Sequence, residues 1–253
     1  MTKPKIPDTA APTPEDDIIS NLLENLPSTD LVEIKVPSKN KFYSLLDSSK
    51  GIMIKCLTFA EEKELITRTG AGGDVLNTLL EKCVSNINIK DILQLDKLFI
   101  IMKIREISYG NAYKASVTCP ACKEENNLSV NLSELNTIYM EDDVTDPVTI
   151  TLPVLKKTVK VRLPRISDEA YLATNEKTLI NLWRFVEDIE GHTKKTLISK
   201  VIGQLPLRDA HTILGALSGD GVGIETNVRF ICNYCEHSEV LGLPITGDFF
   251  TGN

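Results

Sequence analysis

The chain has 253 residues, 42% hydrophobic and 25% charged, the balance of a globular protein with one or two domains and a sizeable core. Its formal net charge of −7 argues against a dedicated nucleic-acid binder, which needs a basic face to displace counterions. No run approaches the length of a membrane span and no apolar signal region opens the chain, so the expectation is a reducing cytosol and cysteines kept as thiols.

Residues 1–30 form a separate segment, holding five of the twelve prolines and six acidic residues against two lysines. Such a stretch buries too little apolar surface to offset its ordering entropy, and a disordered acidic tail is expected. Only Ile18 to Leu26 has helical spacing, an amphipathic piece that either docks on a partner or forms helix transiently.

A first ordered part is expected over 31–111. Leu31 to Val36 alternates as a strand, Pro37 to Lys41 makes a polar turn, and a second strand pair is expected around Phe42-Tyr43 and Ile52 to Cys56. Thr58 with Glu61 is a capping box that opens a helix through about Thr69, stopped by Gly70 to Gly73. Asp74 opens another helix, with Val75, Leu79, Leu80, Cys83 and Val84 on one face. Leu93 to Ser108 is apolar nearly all round, which places it in the core or in a subunit interface. Asp96 and Arg105 are read as sharing its one solvated face; if buried, each needs a partner, because an unpaired buried charge is costly. Cys56 and Cys83 lie in apolar patterns and read as small core hydrophobes.

The second part is expected over 112–253. Ala112 to Thr118 alternates and runs into Cys119-Pro-Ala-Cys122, with Leu128, Val130 and Leu132 alternating beyond it. Thr226 to Ile231 runs in the same way into Cys232-Asn-Tyr-Cys235. Strand, knuckle, strand is the pattern of a zinc ribbon. Four thiolates presented two by two suit a closed tetrahedral zinc with bonds of about 2.3 Å, which predicts sulfur separations of about 3.5–4 Å between the knuckles. Residues 123–231 intervene, far more than in a simple ribbon, so one ion on all four sulfurs would clamp distant parts of the chain. Two other readings compete: knuckles that hold no metal, and a redox pair. A redox pair wants a helix N-terminus to lower its thiol pKa, whereas Lys123 to Asn127 leads into alternation and starts no helix. His237 either replaces a sulfur or is a solvated turn residue.

Between the knuckles an insertion of about 142–221 is expected. Val148 to Leu152 and Thr158 to Leu163 alternate as a hairpin, and three helices follow over about Ser167–Ile189, Lys194–Ile202 and Pro206–Leu217. Gly219 and Gly221 end the last, on which His211 reads as a surface histidine. Lys156, Lys157, Lys160, Arg162 and Arg165 concentrate positive charge without interleaved aromatics, as a solvated strand face does. The fold class is α+β: N-terminal strands plus helices, then a zinc-ribbon-like four-cysteine unit interrupted by a β-hairpin and a helical block.

No catalytic residue is assigned. The chain lacks a Gly-rich phosphate loop, a G-x-S-x-G elbow and an H-E-x-x-H pair. A site closed by four cysteines has no open position for water, so a zinc there is structural.

Residues 31–141 resemble the baseplate hub protein family of T-even-type, contractile-tailed bacteriophages. The likeness lies in a strand ending in Val36-Pro37-Ser38, the run Ile54 to Lys63, a helix ending near Cys83, the run Leu93 to Asn111, and strand, Cys-Pro-x-Cys, strand and Val130-Asn-Leu132. What the resemblance implies is a non-enzymatic component of the virion tail baseplate that helps nucleate the central hub. Its partners would be other hub and wedge proteins in an oligomeric assembly formed in the host cytoplasm. The metal does not follow from the resemblance; it rests on Cys119, Cys122, Cys232 and Cys235. The alternative from another class is a zinc-ribbon regulator acting on nucleic acid or RNA polymerase. Basic residues at the knuckles would favour it, but Lys114, Lys123 and Arg229 are offset by Glu124, Glu125, Glu236 and Glu239. A thiol oxidoreductase is the third reading.

Overall fold

Strand β1 (Val32–Ile34) pairs antiparallel with β2 (Ile52–Ile54), and an isolated bridge joins Ile54 to Val84. A computed structural model describes these and the rest of residues 31–43, 51–70, 74–243, 245 and 247–250, with 18, 19, 21 and 22 of the N-terminal segment. The expected disordered tail over 1–30 otherwise lies outside the described residues. Ile18, Ile19, Asn21 and Leu22 are helical, with all three apolar side chains exposed.

The strand expected at Phe42-Tyr43 is a turn. Lys39 and Asn40 both adopt left-handed backbone, at φ of 57° and 61°, which reverses the chain and carries Tyr43 into the core. Helix α1 (Phe59–Gly70) opens on the expected capping box. The Glu61 N–H donates to Thr58 Oγ1 at 3.3 Å and the Thr58 N–H to the Glu61 carboxylate at 2.9 Å. Helix α2 (Val75–Cys83) is capped by Asp74, which accepts the Asn77 N–H at 3.1 Å, and buries Leu79, Leu80 and Cys83 completely.

Helix α3 (Gln94–Tyr109) buries Phe99, Ile100, Ile101, Met102 and Ile104, as its all-round apolarity predicts. The expected solvated face for Asp96 and Arg105 is not found: both are buried, at 0% and 4% exposure. Asp96 accepts the Ser38 N–H at 2.9 Å, the Ser38 hydroxyl at 2.5 Å and the Tyr43 hydroxyl at 2.6 Å. Arg105 donates to the Phe249 carbonyl at 2.8 Å and lies 4.4 Å from the Tyr109 ring centroid. Partners from the turn and from the far end of the chain make this burial tolerable, and neither is visible in the helix's own sequence.

Two antiparallel ribbons follow the same plan. One pairs β3 (Ala112–Thr118) with β4 (Glu125–Asn131), and a second, reached later in the chain, pairs two shorter strands. Between them lies a three-stranded antiparallel sheet of β6 (Val148–Thr151), β7 (Thr158–Val161) and β8 (Val186–Ile189), reached through β5 (Thr137–Ile138). The helix expected over Ser167–Ile189 is a correction. It breaks into α4 (Glu169–Leu172) and α5 (Asn175–Asn181), and its end is β8. Thr174 restarts the helix by accepting the Lys177 N–H at 3.2 Å. Val186 and Ile189 then bury against β7, whose open edge outcompetes helical propensity. Helices α6 (Lys195–Ile202) and α7 (Leu207–Leu217) match expectation and complete a local core with Val159, Leu182, Phe185, Ile198 and Ile213. The short β9 (Gly223–Ile224) pairs with β5, and β10 (Asn227–Ile231) with β11 (Ser238–Gly242) closes the second ribbon.

The larger core gathers β1, β2 and α1 to α3, but residues from far along the chain complete it. Leu163, Ile166, Leu243, Phe249 and Phe250 all join it. Phe249 stacks edge-on against Tyr113 with centroids 4.7 Å apart, and the Tyr109 hydroxyl donates to the Phe250 carbonyl at 2.5 Å. The protein is α+β, and none of the helices described is long and apolar enough to cross a membrane.

Candidate metal centre

Each ribbon ends in the same tight knuckle. In the first, the Cys119 N–H donates to the Glu124 carbonyl and the Lys123 N–H to the Cys119 carbonyl, both at 2.9 Å. In the second, the Cys232 N–H donates to the His237 carbonyl at 2.9 Å and the Glu236 N–H to the Cys232 carbonyl at 3.1 Å. Lys123 and Glu236, each one residue past the second cysteine, adopt left-handed backbone at φ of 66° and 58°. That reversal is what turns both sulfurs of a knuckle to the same side.

The two knuckles meet. Cys119, Cys122, Cys232 and Cys235 place their Sγ atoms within 4.8 Å of one another. Cys119 lies 3.7 Å from Cys235, and Cys122 lies 3.6 Å from Cys232. A tetrahedron with bonds of about 2.3 Å has edges of about 3.7–3.8 Å, so both cross-knuckle separations fit one central ion. All four cysteines are free thiols. Cys119 and Cys232 are buried with Phe230, and Val117 and Leu241 pack alongside, so the cluster sits on a small apolar base. His237 does not enter the group; its Nε2 lies 4.0 Å from the Glu239 carboxylate.

Without a metal the thiols of Cys122, Cys232 and Cys235 are shifted apart by their surroundings and by one another. Burial works against a Cys232 thiolate, yet the amides of Tyr234 and Cys235, the Cys122 thiol and the Asn126 amide bring its pKa down to about 6. At Cys122 the Glu124 amide favours the thiolate, but desolvation and the three neighbouring thiols push the pKa up to about 12. Cys235 also moves up: the His237 amide opposes the shift, while desolvation and its neighbours Cys232 and Cys119 prevail. A divalent cation at the centre would let all four ionise together and release their protons. A soft donor set of sulfur alone suits zinc, closes the tetrahedron, and leaves no position for a substrate or water.

Asn126 is the site residue that sequence reasoning missed. It is buried at 3% exposure, accepts the Asn233 N–H at 2.8 Å and points its amide at Cys232 Sγ, 3.5 Å away. A run of Glu124-Glu-Asn-Asn127 looks like solvated loop, and nothing local says that one asparagine crosses to the other ribbon. The basic concentration between the knuckles turns out to be partly structural. Arg162 grips Asp168 through two bonds of 2.7 and 2.8 Å, and Arg165 reaches Asp146 at 3.3 Å.

The fold is that of an α+β protein whose two ribbons, far apart in sequence, close on one cluster of four thiols, a split ribbon. The chain belongs to the T4 bacteriophage base plate protein family, which matches residues 29–251. No curated protein and no solved structure gives a match. The family makes it a phage baseplate structural protein, and its match extends beyond 31–141 to include both knuckles.

Proposed function

We propose that this protein is a non-enzymatic subunit of the central hub of a contractile-tail baseplate, with a structural zinc on Cys119, Cys122, Cys232 and Cys235. The family match over residues 29–251 is the observation that carries the reading. The convergence of four sulfurs within 4.8 Å supports the metal. The subunit works through contacts with other hub and wedge proteins, in the virion tail, after assembly in the host cytoplasm. Its organisation is an acidic tail over 1–30, a body over 31–111, and a ribbon part over 112–253 interrupted by the insertion 142–221. Zinc pins the entry of that insertion against its exit, which removes unfolded-state freedom from a long loop and presents its surfaces in a fixed orientation.

Deleting the gene from the phage tests the hub assignment. Infected cells should then accumulate normal heads with tails blocked at hub or baseplate formation, and the tagged protein should co-purify with other hub components at a fixed ratio. Complete tails from the deletion phage, with failure instead in gene expression, would refute the hub reading and favour the zinc-ribbon regulator. Metal analysis should find about one zinc per chain, and none once all four cysteines are changed to serine.

A further inference from the structure

The two knuckles are built alike but are not equivalent, and the difference sits in the residue after the first cysteine. In the first knuckle that residue is Pro120, which has no N–H to satisfy. In the second it is Asn233, whose backbone N–H needs an acceptor beside the sulfurs. Asn126 supplies it from the other ribbon, accepting that N–H at 2.8 Å. The same side chain donates to the Glu124 carbonyl of its own knuckle at 3.1 Å and lies 3.5 Å from Cys232 Sγ, which also receives the Tyr234 N–H at 3.4 Å. One buried amide therefore uses its oxygen on the second knuckle and its nitrogen on both.

The arrangement runs one way only. Asn126 pairs with Val117 in its ribbon, and the matching position in the other ribbon, opposite Phe230, is Glu239. Glu239 makes no such crossing and lies against His237 of its own turn at 4.0 Å. An asparagine at the second of these positions would meet Pro120, where there is no donor to accept.

We infer that Asn126 is the positioning residue of the metal centre, docking the second knuckle onto the first and setting the orientation of Cys232 before and during metal binding. The inference rests on the zinc reading above. Metal sites lose about 10–100-fold in affinity when a group that orients a ligand is removed, and that is the effect expected here.

The test uses the full-length protein with zinc and, as a spectroscopic probe, cobalt. Wild type, Asn126→Ala and Asn126→Asp are compared, with the exposed neighbour changed in Asn127→Ala as control. Asp keeps the shape and the acceptor for Asn233 but replaces the amide hydrogens facing Cys232 and the Glu124 carbonyl by a carboxylate oxygen, so it removes the donor without opening a cavity. Both Asn126 variants should lose about 10–100-fold in zinc affinity against a competing chelator, with a shifted sulfur-to-cobalt charge-transfer band, while Asn127→Ala matches wild type. Wild-type zinc affinity and an unchanged cobalt spectrum in both Asn126 variants would overturn the inference. A variant that stays unfolded at saturating zinc would also overturn it, in favour of a purely structural asparagine. A variant that is unfolded without metal but rescued by excess zinc supports it. If wild type itself takes up neither metal, it is the zinc reading that fails, and the two failures are separate.

Discussion

The buried Asp96 predicts an unusual pH dependence of stability, and replacing it by asparagine isolates the effect. Asp96 is fully inaccessible on α3, and burial pushes its pKa up to about 6 even though the Ser38 hydroxyl, the Tyr43 hydroxyl and the Ser38 amide all donate to it. In the unfolded chain an aspartate titrates at about 3.9. Between those values the folded protein holds a proton that the unfolded chain has released, so stability falls as pH rises through that window. The contribution is fully present below about pH 4, is lost by about pH 6 and is level above. Two pKa units at about 1.36 kcal/mol each make the difference about 3 kcal/mol. Urea denaturation of wild type and Asp96→Asn across this range should show it as a midpoint change of about 1 M, taking an m-value of about 2–3 kcal/mol per M. Protonation of the thiol cluster affects both proteins and cancels in the comparison. Identical pH profiles for the two would refute the reasoning, and would mean that the hydrogen bonds offset desolvation entirely.

Three further outcomes are expected. Phe99→Ala, in the middle of α3 at 4% exposure, should lower stability by about 3–5 kcal/mol in chemical denaturation; an unchanged transition would move the core elsewhere. Phe249→Ala should cost a similar amount by removing the ring that Tyr113 and Arg105 pack against while keeping the backbone carbonyl that Arg105 bonds, so a double change with Arg105→Met should be clearly non-additive, with denaturation as the readout. Deleting residues 1–30 should leave the denaturation transition of the remaining chain intact while weakening its recovery in baseplate complexes; loss of the fold would assign this segment to the core.

What could be read from the sequence was whatever is decided within a few residues. The Thr58–Glu61 capping box, the Asp74 cap and the two knuckles are local hydrogen-bond patterns, and each appears as written. The burial of α3 was legible because a helix apolar on every side has nowhere else to go. Non-local decisions were not legible. Asp96 is buried because Ser38 and Tyr43 donate to it from a turn whose left-handed residues, a lysine and an asparagine, carry no glycine signal. Val186 to Ile189 became strand because β7 offered an edge, a fact of the sheet rather than of the segment. Asn126 acts across two ribbons separated by the whole insertion.

The last element to join the larger core has a consequence for how the protein is made. At roughly 5–20 residues per second, synthesis from the first knuckle to the second takes on the order of 5–20 s. Throughout that interval Cys119 and Cys122 lack the other two sulfurs of their cluster, and Phe249 and Phe250, which pack beside Arg105 and Tyr113 in the folded protein, have yet to be made. Neither the four-sulfur cluster nor the packing of Phe249 and Phe250 can form until residues 232–250 have been made. Closure of the two ribbons on each other and completion of the larger core therefore fall due at nearly the same moment, within a stretch of fewer than twenty residues.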